Sequence, residues 1–527
     1  MKKINITAVS MLATLPLMAG GLVTNTNQNA AFLRQLSQDA IIDITGLYMN
    51  PAGTAFLAPG SHFSFNIQNA KQSRDISTTF PLFTLNNENS NTTHDFKGDA
   101  YAPVIPSIQW SHNWDRWSIN ANFALGGGGG KCEFDQGLGS FEALYAGQLY
   151  QLVPAVVNGM VNQQVGAVLP GMVQGQVAQG LVAAGIPQPY AEMIAATTQS
   201  GYDVSSQLTG YSLNAYMKGR QYYFGLSLGA TYKVLDNLAV YAGVRGVYAT
   251  NNYNGYVQDI KAQYAYMVDY LYTVPAQEAL GFPGTQGTGQ LSDAGEQVLD
   301  DRSLTLNTDQ TGFGLTPMLG IDWRINKQWN VAAKYEFKTR LRLKNKSEMN
   351  DFAAQQAGSN PVLGQFQDGK SVAADIPSLL TLGVQYSPIQ ALRLQAGFHT
   401  YGDQNATQFG NKQDNIDGDT WEVTAGIEYD LCPLITLSCG WQTTNYDLAD
   451  AYMNDLSFVT NSQSWGAGLR VNVTEKLGID LGFMQTLYED RTVDVVAGTL
   501  PNGSPLVKSD TYSRTNRVFG IGLNYAF

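Results

Sequence analysis

From Trp117 to Leu125 large apolar side chains alternate with small or polar ones. Trp117, Ile119, Ala121, Phe123 and Leu125 share one face of an extended chain, and Ser118, Asn120, Asn122 and Ala124 share the other. A period of two is that of a half-buried strand. The C-terminus repeats it, with Phe519, Ile521, Leu523, Tyr525 and Phe527 on one side and Gly520, Gly522, Asn524 and Ala526 on the other. About fourteen such segments are predicted, near 61–69, 103–112, 117–125, 221–233, 238–250, 311–324, 328–342, 375–387, 391–401, 420–430, 434–444, 463–473, 477–488 and 515–527. Between them, long connections alternate with the short turns "NWDR", "VLDN", "INK", "SPI", "LCP" and "TEK".

An even number of strands, with short turns at one end and long loops at the other, is the arrangement of an outer-membrane barrel. Closure leaves no edge whose unpaired backbone groups would face hydrocarbon. A secreted soluble β-protein would instead carry polar outer faces. Here Tyr222, Trp323, Tyr386, Trp421, Tyr429, Trp441, Trp465 and Tyr525 stand near strand ends on the apolar side, where a membrane girdle lies. The expected fold is therefore all-β: a transmembrane antiparallel β-barrel of about fourteen strands, with short turns in the periplasm and long loops outside.

Composition agrees with that expectation. Among 527 residues aromatic side chains reach 11% while charged ones are only 14%, sparse for a soluble surface. The net charge of −12, with no basic block, excludes a nucleic-acid partner that would need its phosphates neutralised. Lys2 and Lys3, the apolar stretch from Ile4 to Ala19 and the small residues ending at Gly21 have the layout of an export signal over residues 1–21. Beyond it no run of apolar residues is long enough for a membrane helix. Cys132, Cys432 and Cys439 cannot all pair with one another, and no two of the four histidines stand at ligand spacing, so neither a metal nor a cofactor is expected.

On the strand near 328–342, Lys334, Glu336, Lys338, Arg340 and Arg342 alternate, which places them on the lumen side. Arg245, Arg393, His399, Glu422, Glu428, Arg470 and Asp480 are further inward candidates. One reading is a mutually paired lumen network. The sharper one has Arg340 or Arg393 hold the anionic head of a passing ligand. Between signal and first strand, Phe32, Leu33, Leu36, Ala40, Ile41 and Ile44 recur at helical spacing in a segment too short to fold alone. The lumen is the nearest shelter for that apolar face.

The stretch "LYMNPAG", Leu47 to Gly53, which follows a helical segment containing Arg34, Asp39 and Ala40, resembles the hatch of the long-chain fatty-acid transporter family of outer membranes, the FadL type. Asn50, Pro51 and Ala52 match its Asn-Pro-Ala motif. The segments "YAPVIPSIQWSHNWDRWSINANFALGGGGG", "DIPSLLTLGVQYSPIQALRLQAGFHTY" and "GFGLTPMLGIDWRINKQWNVAAKYEF" resemble its second and third strands and later hairpins. The resemblance implies a fourteen-stranded barrel whose periplasmic side is closed by a hatch, and a hydrophobic small-molecule ligand. The implied organisation is a signal at 1–21, a hatch at 22–58 and a barrel at 59–527, with extracellular insertions at about 126–220 and 251–310.

Within that frame three features invite a function. Gly126, Gly127, Gly128, Gly129 and Gly130 follow the third strand, which is kinked inward in the family; a bend there would border a possible lateral opening in the wall. From Cys132 to Met217 there is no Lys or Arg, and Leu149, Leu152, Val153, Val156, Val157 and Met160 have helical spacing, predicting short amphipathic helices outside the membrane. Phe527 ends an aromatic-alternating strand of the kind that barrel assembly machinery recognises. No catalytic set is evident around His399. The expected function is passive uptake of hydrophobic small molecules, long-chain fatty acids foremost, across the outer membrane of a Gram-negative bacterium. The alternatives are a general porin for small hydrophilic solutes and, further off, an outer-membrane esterase or phospholipase.

Overall fold

A computed structural model describes residues 22–276, 286–358, 361–500 and 503–527; the expected export signal, residues 1–21, lies outside them. Among the described residues β-strands dominate: β1 (Gly60–Thr79), β2 (Thr93–Asn113), β3 (Trp117–Phe134), β4 (Gln199–Leu235), β5 (Leu238–Thr273) and β6 (Gln286–Val298). They continue with β7 (Leu304–Arg324), β8 (Trp329–Glu336), β9 (Arg342–Met349), β10 (Ser371–Ala373), β11 (Leu379–Ile389) and β12 (Leu392–Tyr401). The last are β13 (Ile416–Cys432), β14 (Ile435–Leu448), β15 (Ser462–Asn472), β16 (Leu477–Tyr488), β17 (Arg491–Thr499) and β18 (Pro505–Ala526). All pair antiparallel in one sheet. β1 joins β18 from His62↔Ala526 to Thr79↔Ser509, so the sheet closes. The ring passes through fourteen strands, because β9 and β10 continue β8 and β11 outward while β6 and β17 pair only with outer parts of β5 and β18.

Each strand is sorted by solvent. On β18 Phe519, Ile521 and Leu523 point outward and are exposed, whereas Asn516, Val518 and Asn524 point inward and are buried. An apolar outward band with a polar interior is the signature of a barrel in lipid. The strands outrun that band. On β1 the outward positions pass from Phe63, Phe65 and Ile67 to Asn69, Lys71, Ser73 and Asp75, so the upper part of the strand stands above the bilayer. Because the outward face turns polar above the bilayer, the strands expected from an apolar outward face end early on the outer side.

The expected insertions are correspondingly more structured than loops. Much of 199–220 and 251–273 belongs to β4 and β5, which pair from Leu235↔Leu238 out to Gln199↔Thr273, with β6 added alongside. Against this ribbon lies one long helix, α1 (Gly139–Ala183), followed by one short helix, α2 (Gln188–Ala195), where several short helices were expected. Pro154 and Pro170 fall inside α1, as do residues buried every fourth position, among them Leu149, Val153, Val157, Leu169, Val173, Val177 and Leu181. A four-residue spacing advances around the helix, so this buried line follows the twist of the ribbon beneath it.

The strand expected over 328–342 is also revised. β8 stops at Glu336 and β9 starts at Arg342, and the side-chain parity reverses across the break. Lys334 and Glu336 are buried, but beyond them the buried positions are Thr339, Leu341 and Leu343, while Arg340 and Arg342 are exposed.

Candidate functional site

Residues 22–59 lie inside the ring. Only Ala30–Arg34 form a helical turn; the helical spacing that extends to Ile44 is not realised, because Gln35 is extended. Short 3-10 turns follow at Ile44–Gly46 and Pro51–Phe56. Nearly all of this segment is buried, Phe32, Leu33 and Leu36 included. The wall makes room for it with glycines. A side chain at Gly482 would meet the Ala30 carbonyl, one at Gly440 the Leu36 amide and one at Gly383 the Asp39 backbone. The small inward face of the late strands is therefore a bed for the plug.

Charges fasten the plug to that bed. The Arg34 guanidinium reaches Asp480 at 2.8 Å and Glu428 at 2.5 Å. Arg470 forks onto Asp43 at 2.9 and 3.1 Å, and also pairs with Asp480 at 3.0 Å. His399 stands between Asp39 of the plug at 2.8 Å and Glu422 of the wall at 2.7 Å. Lys334 donates to the Tyr48 carbonyl at 2.6 Å and pairs with Glu336 at 2.7 Å, which Arg245 also holds at 2.8 Å. Removing one member of such a buried pair leaves an uncompensated charge, so these contacts define one seated position.

The expected hatch residues are part of the same fastening. Asn50 caps the turn that Pro51 begins: its Oδ1 accepts from Gly53 N at 3.1 Å. Its Nδ2 donates to Asp322 of β7 at 2.5 Å and to the Ile41 carbonyl at 3.1 Å. The Pro51 carbonyl accepts from Thr231 of β4 at 3.2 Å, and Ala52 is fully buried beside Tyr241 and Met318.

One place in the wall is different. β2 and β3 pair from Asn113↔Ser118 to Ile108↔Phe123 and again at Asp99↔Glu133 and Gly98↔Phe134, but not between. The residues left facing one another are 100–107 of β2 and 124–132 of β3, the latter containing all five glycines. The break is in register with Ile67–Gln72 of β1, so it starts at the outer margin of the membrane, where unpaired backbone is tolerated only if other protein groups satisfy it. On the β3 side the plug supplies them. Asn25 N donates to the Gly126 carbonyl at 3.0 Å, Gly128 N donates to the Val23 carbonyl at 3.2 Å, and Asn25 Nδ2 donates to the Leu125 carbonyl at 2.9 Å. On the β2 side Pro103 and Pro106 have no N–H to leave stranded.

The glycines divide by role. Gly128 and Gly130 have positive φ, 92° and 62°, a conformation that other residues resist. A side chain on Gly127 would collide with the Val23 carbonyl. Gly126 needs neither allowance, its nearest neighbour being the Tyr223 carbonyl at 3.9 Å from an added Cβ. The rim of the break is mostly apolar, with Ala100, Ala102 and Ala124 buried on it and Tyr101 and Val104 exposed. Immediately below, Phe123 stacks on Phe224, ring centres 6.4 Å apart, at the outer margin of the apolar band.

Of the cations expected to hold a ligand head, neither is placed for it. Arg340 is exposed because of the parity reversal after β8. Arg393, one residue from the turn end of β12, gives Nη1 and Nη2 to Asp430 at 2.7 Å each and Nε to Glu428 at 3.1 Å. Arg245, Lys334, Glu336, His399, Glu422, Glu428, Arg470 and Asp480 join the plug network, whereas Lys338 donates to the Asn405 carbonyl of an outer loop at 2.7 Å and Arg342 is exposed. His399 has both ring nitrogens engaged by carboxylates, so it has none left to activate a nucleophile. Phe527 is 68% exposed at the barrel foot, its N–H held by the Ser61 carbonyl at 2.9 Å. Sequence reasoning passed over Pro103 and Pro106, two prolines in one otherwise paired strand, which were the available signal for the break.

No protein-family model matches the sequence, and no curated protein does. Solved structures do match. A FadL homologue from Pseudomonas aeruginosa superposes with a TM-score of 0.54 over 96% of this chain and 100% of its own, at 14% identity. A deltaS2S3 mutant of the TodX monoaromatic hydrocarbon channel gives 0.50 over 95% and 99%, at 12% identity. The toluene transporter TodX of P. putida gives 0.47 over 91% and 92%, at 13% identity. Sequence identity this low speaks for architecture alone, and the architecture is that of the FadL-type β-barrel.

Proposed function

We propose that this chain is a passive outer-membrane channel that takes up hydrophobic small molecules, long-chain fatty acids first among them, and releases them sideways through the break between β2 and β3. The observation that carries the reading is the position of that break. It lies at the outer margin of the apolar band, above a lumen whose floor is held shut by the plug. An apolar molecule entering from outside thus has a path into the bilayer that avoids both the charged plug and the periplasmic water. The five glycines, Gly126 to Gly130, form one side of that path.

The FadL-type fold supports the reading, since one neighbour is described as a FadL homologue and another as a monoaromatic hydrocarbon channel. A general porin is disfavoured by the seated plug, whose buried ion pairs leave no reason for a water-filled passage beside them. Phe527 fits a role in insertion by the barrel assembly machinery, because its ring is exposed at the strand end rather than packed in the core. The test is transport by purified protein in liposomes. Palmitate and toluene should enter faster than into empty liposomes, while sucrose should cause no swelling. Swelling in sucrose without acceleration of either hydrophobic compound would favour the porin instead.

A further inference from the structure

Five of the nine residues from Lys338 to Lys346 are basic and none is acidic, in a chain whose net charge is −12. The backbone decides which way they face. Had the parity of β8 continued, with Lys334 and Glu336 inward, all five would line the lumen. The reversal between Glu336 and Arg342 turns four of them out. Arg340, Arg342, Lys344 and Lys346 are exposed at alternate positions, while Thr339, Leu341, Leu343 and Asn345 between them are buried. Lys338, at the break itself, bends to the Asn405 carbonyl.

The register with β7 gives the height of this strip. Lys344 and Lys346 face Thr311 and Asp309, the first polar outward positions of β7, and a side chain added at Gly314 would meet the Arg340 carbonyl. Beside and below on the outside are Phe313 and Leu315 of β7 and the pair Tyr335 and Phe337, whose ring centres are 4.9 Å apart; all four are exposed. The strip thus begins where the lipid-facing band and its aromatic edge end, at the level of the outer-leaflet headgroups. Long basic side chains there lie along the apolar surface and keep their charges in the polar layer.

The protein neutralises little of this charge. Arg342 reaches Asp375 at 3.4 Å, yet its side chain is 59% exposed. Arg340, Lys344 and Lys346 make no ion pair with any described residue. Asp309 already accepts from Asn252 at 2.9 Å and Asp368 from the Ser347 amide at 2.9 Å, and the one carboxylate of β9, Glu348, comes only at its top.

We propose that Arg340, Arg342, Lys344 and Lys346 form a docking strip on the outer wall for the phosphorylated glycolipid of the outer leaflet. The arginines fork onto its phosphates, the lysines add point charges, and Tyr335, Phe337, Phe313 and Leu315 receive its acyl chains. A soluble acidic partner would have no use for exposed aromatic rings at the foot of the strip. Because this lipid lies outside the wall, the inference is independent of what passes through the barrel.

The test titrates the full-length barrel in detergent with lipid A carrying both phosphates and with its dephosphorylated form, reading bound lipid by native mass spectrometry. The wild type should favour the phosphorylated form by about a hundredfold, the scale set by several cations at an anionic surface. In R340Q/K344Q/K346Q the preference should fall to a few-fold, with the heat-modifiable gel shift of a folded barrel retained. Removing three cations at the periplasmic turns, in K233Q/K327Q/K476Q, should leave it in place. A strip variant that keeps the preference overturns the proposal, as does equal loss in both variants, which would make the effect one of net charge. Equal binding of the two lipids by the wild type overturns it even if the strip variant does not fold. Displacement of the phosphorylated lipid by inorganic phosphate at constant ionic strength would make the strip a site for free phosphate and overturn the lipid assignment.

Discussion

Asn50 shows how much one side chain can secure. It makes three contacts, to Asp322, the Ile41 carbonyl and Gly53 N, each on a different piece of structure. Asn50→Ala leaves the buried Ile41 carbonyl without its donor, at a cost of about 1–3 kcal/mol, and takes one of the two amides from Asp322, which keeps Asn330 at 2.9 Å. Amide exchange over residues 41–53 should accelerate, and bilayer recordings should show openings absent from wild type; unchanged exchange would mean that the wall does not depend on this residue. Lys412, in the outer loop between β12 and β13, offers a pH probe. Its ammonium lies 3.9 Å over Tyr452 and donates to Ser457 at 3.1 Å, and burial pushes its pKa down to about 7. An opened loop restores the ordinary value of about 10.4. Between those values the opened form binds a proton that the closed form does not, so closure strengthens as pH rises from about 7 to about 10. Below about 7 both forms are charged and the burial cost is present in full. Protection of residues 409–415, corrected for intrinsic exchange, should rise across that window in wild type and stay flat in Lys412→Met. An equal slope in both would assign the effect to another group.

At the scale of elements, the glycines of the late strands set the plug position. Gly482→Val would drive a branched side chain into the Ala30 carbonyl, so the short helical turn at Ala30–Arg34 should lift from the wall and lose protection while the barrel stays closed. Retained protection of Ala30–Arg34 would show that the fit is not tight. In the sequence these positions are legible only as a small face, as at Gly520 and Gly522; that they receive a plug is a tertiary fact. The lipid-facing parts of the strands were legible because alternation there is enforced by two solvents. In the outer halves of β4 and β5 the apolar side, with Leu208, Ile260, Ala262 and Val268, is turned to the long helix and the polar side, with Lys261, Gln263 and Asp269, to water, so the lipid-facing signature stops although the strands continue. The parity reversal between Glu336 and Arg342 was hidden for a related reason: a run of alternating charges looks continuous whether or not the backbone shifts by one residue. Among the site residues, Asn50 and Pro51 were legible through their motif. Asn25, which bonds the edge of the break, was not, since its role comes from a contact between the plug and the third strand.

At the scale of the molecule, the closed ring places the long ribbon of β4, β5 and β6 and its helix on one side of the membrane and the short turns on the other. A helix of 45 residues is about 68 Å long, so this is a large extracellular structure. An epitope inserted at Gly185, which has open space around it, should bind antibody on intact cells, whereas one in the turn at Asp236 should need permeabilised cells. The reverse labelling would invert the orientation. The central claim is that hydrophobic molecules leave through the wall, and Gly126→Trp addresses it most directly. That position has ordinary backbone geometry and free space, so an indole placed there should fill the break without displacing Val23 or Asn25. The decisive measurement is the rate of labelled palmitate entry into liposomes containing this variant, with palmitate binding measured alongside. Sideways release predicts that entry falls to the level of empty liposomes while binding is kept. Entry at the wild-type rate would contradict it.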